Sequence, residues 1–191
     1  MIKVPAYNKN NRRQSFDQLP KGAYVCKIMH LEEATSKKGN PMIKIYFDIA
    51  EGDYKDFYKK QYEADTREDK VWSYDATHYL TIPTEGCLPF ITEQWDTFWA
   101  NVEDSNNGYV FDGDEKKAEG KTFGGIFRIE QTEASNGNIY DHTRLAWTKI
   151  AQDIRDGKFG KMPKDKLVGT EGSADDFVNV PDTVAEDLPW K

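Results

Sequence analysis

At 191 residues the chain can form one well-cored domain with a tail. Its two cysteines, 38% hydrophobic content and net charge of −7 exclude a disulfide framework, a cysteine zinc motif and a strongly basic body. No apolar run reaches membrane-span length, and the opening MIKVPAYNKNNRRQ lacks a signal-peptide core, so a soluble cytoplasmic protein is expected.

Residues 1–21 are polar and basic and read as a flexible arm, with Phe16 and Leu19 available to tuck onto the body. Ala23–Glu32 and Met42–Ala50 read as two strands of a long hairpin, joined by a turn of Ser36, Lys37, Lys38, Gly39, Asn40 and Pro41. The second strand alternates. Ile43, Ile45, Phe47 and Ile49 face inward; Met42, Lys44, Tyr46 and Asp48 face outward. Glu51-Gly52-Asp53 turns the chain into a segment with four rings and three lysines between Tyr54 and Tyr62, expected to hold the third strand. Val71–Ile82 is expected to be a further strand, or a strand with an excursion.

Pro89 opens a helix over Phe90–Val102, where Ile91, Trp95, Phe98 and Val102 mark one face. An acidic loop, 112–119, precedes a strand at Lys121–Gln131, in which Phe123, Phe127 and Ile129 share a face and Arg128 points away. Gly124-Gly125 marks a bulge or bend there. Asn136-Gly137 is a hairpin turn into Ile139–Ile150, with Leu145 and Trp147 inward and Tyr140, His142 and Arg144 outward. A helical stub, Ala151–Asp156, ends at Gly157. Beyond it periodicity is lost, and 158–191 reads as a flexible acidic tail. Residues 169–191 carry six acids and one base, so −5 of the total −7 lies there and −2 remains for residues 1–168.

Three strands, a helix and a two-strand hairpin form the element order of the OB-fold, a five-stranded Greek-key barrel whose second and third strands and adjoining loops bind ligand. The expected fold is therefore all-β, with 22–157 as an OB-fold domain and a helix between strands three and four. The stretches LPKGAYVCKI, TSKKGNPMIKIYFDIAEGDYK, FITEQWDTFWANVEDSNNGYVFD and EGKTFGGIFRIEQ resemble an uncharacterised phage family related to single-stranded DNA-binding proteins. That resemblance spans roughly residues 17–160. It implies an OB-like fold and a place beside phage replication or recombination genes. Glu186, Asp187, Leu188, Pro189 and Trp190 resemble the acidic tip of bacterial single-stranded DNA-binding proteins, which implies docking on replication or recombination proteins. The tip departs from that pattern with Trp190 in place of Phe and Lys191 after it.

The expected binding residues are rings for base stacking and cations for phosphates. Tyr46, Phe57, Tyr58, Tyr62, Trp72 and Tyr74 are the stacking candidates. Lys37, Lys38, Lys44, Lys59, Lys60, Arg128 and Arg144 are the phosphate candidates. His30, His78 and His142 match no ligand motif, and no P-loop, nucleophile elbow or HExxH occurs, so neither metal, cofactor nor catalysis is expected. The expected partner is single-stranded DNA in a bacterial host cytoplasm, with a homo-oligomer compatible and no membrane. The competing expectation is a phage β-barrel that binds a protein and never touches DNA.

Overall fold

A computed structural model describes residues 6, 7, 9 and 15–169. The strands are β1 (Gly22–Thr35), β2 (Pro41–Ile49), β3 (Thr77–Thr81), β4 (Thr122–Glu133) and β5 (Ile139–Lys149). They form one antiparallel sheet in the order β3-β2-β1-β4-β5. The helices are α1 (Phe57–Ala64), α2 (Pro89–Ser105), α3 (Glu115–Ala118) and α4 (Ala151–Arg155), and a 3-10 turn, Tyr74–Ala76, precedes β3.

β1 is shared between two partners. Its first half, Gly22–Lys27, pairs with Phe127–Thr122 of β4, and Cys26–Thr35 pairs with Ile49–Pro41 of β2. Met29 is left unpaired between the Ile28–Phe47 and His30–Tyr46 rungs. This bulge reverses the inward parity, so Ile28 is buried before it and Leu31 after it.

The core lies on one face of the sheet under α2. Phe47, Phe98, Phe123 and Phe127 are fully buried, with ring centroids 5.5–6.0 Å apart along the chain of contacts Phe98–Phe123–Phe47–Phe127. Each such side chain contributes about 1.5–3 kcal/mol by leaving water. Phe98, Trp99 and Val102 form the buried face of α2, which begins with Pro89 in its first turn. Gly124 and Gly125 are needed for close approach. A Cβ on Gly124 would lie 2.6 Å from the Ile154 side chain of α4, and one on Gly125 would lie 2.7 Å from the Phe127 ring.

Three expectations need correction. The ring-rich segment is not the third strand; it is α1. Its rings at 54, 57, 58 and 62 recur at helical spacing, and Asp48 fixes the helix start. Asp48 was expected outside, but it is fully buried. Its carboxylate accepts from the backbone N–H groups of Ile49, Tyr58 and Lys59 at 2.8–3.0 Å. Met42 is also buried rather than wet. The third strand is instead β3, inside the Val71–Ile82 stretch.

Both ends of the expected domain are tied in further than the sequence implies. Leu19 is buried, and its carbonyl accepts from the Thr143 hydroxyl of β5. Phe16 stays exposed. After α4 the chain runs back along β4, where Lys166 pairs with Glu130 in a parallel bridge and bonds to Ile129 and Gln131. On the strand β5, Leu145 packs against the core as expected, whereas Thr143 and Ala146 are more deeply buried than Trp147.

Candidate nucleic-acid interface

The face of the sheet opposite the core carries a run of rings that crosses the strands. It begins on β1 and β2, where the His30 and Tyr46 rings stack at 6.0 Å with 10° between planes. These residues form a cross-strand pair just beyond the bulge. Lys44 pairs with Tyr79 of β3, and Tyr46 pairs with Thr77, so Tyr79 is the diagonal neighbour of Tyr46. Tyr79 lies 6.3 Å from Tyr74 in the 3-10 turn, and Tyr74 lies 6.3 Å from His142 of β5. The Arg144 guanidinium sits over the Tyr74 ring at 3.7 Å.

The 3-10 turn brings the two end strands of the sheet order near each other. Arg144 donates to the Tyr74 carbonyl, and Asp75 bonds His142 Nδ1 at 3.1 Å. His142 Nε2 also meets the Thr132 hydroxyl at 3.1 Å. The rings on β1–β3 and those on β5 therefore form one surface.

Its charge is nearly balanced. Lys44 Nζ lies 3.7 Å from Glu32, whose other oxygen accepts the Tyr46 hydroxyl at 2.7 Å. Burial first, and this bond second, raise the Tyr46 pKa well above its ordinary value. His30 Nδ1 meets Glu119 at 2.7 Å. Arg128 is buried and ion-paired to Glu130 at 2.8 Å, and Arg144 lies 3.8 Å from Asp75. Beneath the surface, His78 stacks on Phe98 at 5.7 Å, and burial together with the Arg144 cation lowers its pKa to about 4.

The expected residues divide into three groups. Lys44, Tyr46 and Tyr74 belong to the surface, Arg144 is largely buried at its edge with 13% of its side chain exposed and its guanidinium over the Tyr74 ring, and Lys37 and Lys38 are exposed in the β1–β2 turn beside it. Phe57 and Tyr58 do not belong to it. Tyr58 is buried core, its ring against Phe47 at 6.3 Å, and Phe57 packs edge-on to it at 5.1 Å. Trp72 also packs against the core and donates from Nε1 to the Phe47 carbonyl. Tyr62 lies against Trp72, beneath the Lys70 ammonium. Lys59 and Lys60 are exposed on α1, where Lys59 is 3.9 Å from Glu63 and Lys60 donates to the Lys55 carbonyl. Arg128 is the clearest correction among the cations, because it is buried with its own carboxylate. Glu186, Asp187, Leu188, Pro189 and Trp190 lie outside the described residues.

Sequence reading missed Tyr79 and the place of His30. Tyr79 alternates with the inward residues His78 and Leu80, so its outward parity was present in the sequence. His30 faces Tyr46 only because of the bulge at Met29.

Residues 6–79 match a family described as a protein of unknown function (DUF669). The matched span runs from the arm through β1, β2, α1 and the 3-10 turn into β3, and so includes His30, Lys44, Tyr46, Tyr74 and Tyr79. No curated protein matches the chain. Among the described residues, no group of three His, Cys, Asp or Glu is arranged to hold a metal ion. Among the same residues, no helix is long and apolar enough to cross a membrane.

Proposed function

We propose that this protein binds single-stranded DNA across the ring-bearing face of its sheet, without catalysing a reaction. The sheet order β3-β2-β1-β4-β5, with α2 between β3 and β4 along the chain, supports reading the domain as an OB-fold. In that fold the second and third strands and the loops 1–2 and 4–5 form the oligonucleotide face. Here those elements carry Lys44, Tyr46 and Tyr79, the Lys37–Lys38 turn and the β4–β5 hairpin.

One observation carries the reading: His30 and Tyr46 stack across β1 and β2, Tyr79 is the diagonal neighbour of Tyr46 on β3, and Tyr79, Tyr74 and His142 follow at ring contact as far as β5. Every base has a π-face, so such a line accepts unpaired nucleotides with little regard to sequence. In this reading the acidic tip recruits replication or recombination proteins in the cytoplasm of a phage-infected bacterium.

Quenching of intrinsic fluorescence during titration with oligo-dT tests the proposal. Tyr46→Ala and Tyr79→Ala should each weaken binding by about 1–3 kcal/mol, roughly five- to 150-fold. If the wild-type protein gives no saturable quenching at low salt, DNA binding is ruled out and a protein-binding role takes its place.

A further inference from the structure

The balanced charge of the ring face poses a physical question. Stacking can be supplied there, but Lys44 and Arg144 each have a carboxylate within 4 Å, Glu32 and Asp75, and the buried Arg128 is likewise paired with Glu130. A nucleic-acid surface must also neutralise phosphates, so cations are needed along its margin.

The segment after α4 provides them. Residues 158–166, KFGKMPKDK, hold four lysines against one aspartate. Lys158 is paired with Asp156 at 3.1 Å, and Asp165 is paired with Lys21 at 2.5 Å. Lys161, Lys164 and Lys166 have no carboxylate at ion-pair distance among the described residues, and Lys161 and Lys164 are exposed. The segment is held in place. Pro163 is buried, and Asp165 accepts from the Ile129 N–H at 3.0 Å. Lys166 donates its N–H to the Ile129 carbonyl and accepts from the Gln131 N–H, both at 2.8 Å.

The register connects this strap to the ring face. Lys166 pairs with Glu130, and Glu130 pairs with His142. Residues paired across neighbouring strands project to the same face of a sheet. The Lys166 side chain therefore lies on the face that bears His142, with Glu130 between them. His142 is the last ring in the line.

On the basis of the DNA-binding reading above, we infer that the strap 158–166 is a phosphate-binding rail. The backbone of a single strand leaves the rings at His142 and continues over Lys166, Lys164 and Lys161. The rings supply stacking, and the strap supplies the salt-sensitive part of the affinity.

The test uses the full chain with the triple substitution K161Q/K164Q/K166Q, titrated with oligo-dT from 50 to 200 mM salt. Losing three phosphate contacts should reduce the slope of log K against log salt by about 2. The deficit against wild type should then shrink about sixteenfold across that range. Thermal unfolding should match wild type, because Lys161 and Lys164 are exposed and Lys166 is anchored through its backbone. Wild-type binding combined with an unchanged slope in the triple variant overturns the rail while leaving the ring face intact. A deficit equal at all salt concentrations also overturns it, since the lysines would then not be acting through charge. Absence of binding by the wild-type protein instead removes the DNA reading itself.

Discussion

Glu32→Gln should tighten binding to single-stranded DNA. Glu32 lies between Lys44, at 3.7 Å, and the Tyr46 hydroxyl, at 2.7 Å, beside the His30–Tyr46 pair where the ring face begins. The substitution removes a negative charge that would face incoming phosphates and leaves the Lys44 cation without its counter-charge. The amide oxygen of the new side chain still accepts from the Tyr46 hydroxyl, so the ring keeps its position. Both members of the ion pair are partly exposed, at 49% for Glu32 and 31% for Lys44, and such pairs contribute about 0–1 kcal/mol to folding. Stability should therefore change by less than about 0.5 kcal/mol. For DNA, one added phosphate contact at about 4 Å in a water-like dielectric is worth about 1 kcal/mol, or roughly fivefold in affinity at low salt. The dependence of log K on log salt should steepen by about 0.7. Fluorescence titration with oligo-dT gives both quantities, and the double variant with Lys44→Gln isolates the pair. If Glu32→Gln leaves affinity and salt slope unchanged while Tm is preserved, Lys44 does not face phosphate and the orientation of DNA on this face is wrong.

Two further predictions concern the scaffold beneath the site. Asp48→Asn sets an amide NH2 against one of three backbone N–H groups that the carboxylate now accepts, which should cost about 2 kcal/mol and roughly 4–8 °C in Tm. An unchanged circular-dichroism melt at pH 7 would show that the carboxylate does not fix the start of α1. His78 titrates at about 4 in the folded protein, below its ordinary 6.5, so the stability gained from its neutral ring is whole above pH 6.5 and is lost as pH falls through about 4. His78→Phe should therefore lose less stability than wild type between pH 7 and 4; equal losses in urea unfolding would place the acid sensitivity elsewhere.

Much of the scaffold was legible because it repeats with a clear period. In β2, Ile43, Ile45, Phe47 and Ile49 alternate, and in α2 the apolar positions recur at three and four, so strand and helix were read correctly to within a few residues. The hairpin of β4 and β5 was marked by Asn136-Gly137, where Gly137 has φ of +79°. The α1 segment was misread because its high ring content resembles strand composition, whereas the spacing of Tyr54, Phe57, Tyr58 and Tyr62 is helical. Asp48 was misplaced for a related reason. Parity set it outside the sheet, but α1 then covers that position, and the carboxylate accepts from the Tyr58 and Lys59 N–H groups of the first helical turn.

The candidate site was less legible because its properties depend on neighbours distant in sequence. Lys44 and Tyr46 were recognisable as outward residues, but their shared partner, Glu32, is set by the β1–β2 register. That register depends on a single unpaired residue, Met29. Without the bulge, continued alternation from Ile28 would turn His30 and Glu32 inward with it and leave Leu31 on the ring face. The stack of His30 on Tyr46 and the neutralisation of Lys44 are therefore two consequences of one local irregularity. The same reasoning applies at the other margin: the Lys166–Glu130 bridge turns a lysine-rich stretch without periodicity into an edge beside the ring face. Local alternation gave the outward parity of Tyr46 and Tyr79, while the place of His30 and the distribution of charge followed from irregular and long-range pairing. For this reason a face read from sequence as cationic is balanced, and its unbalanced cations lie along the strap.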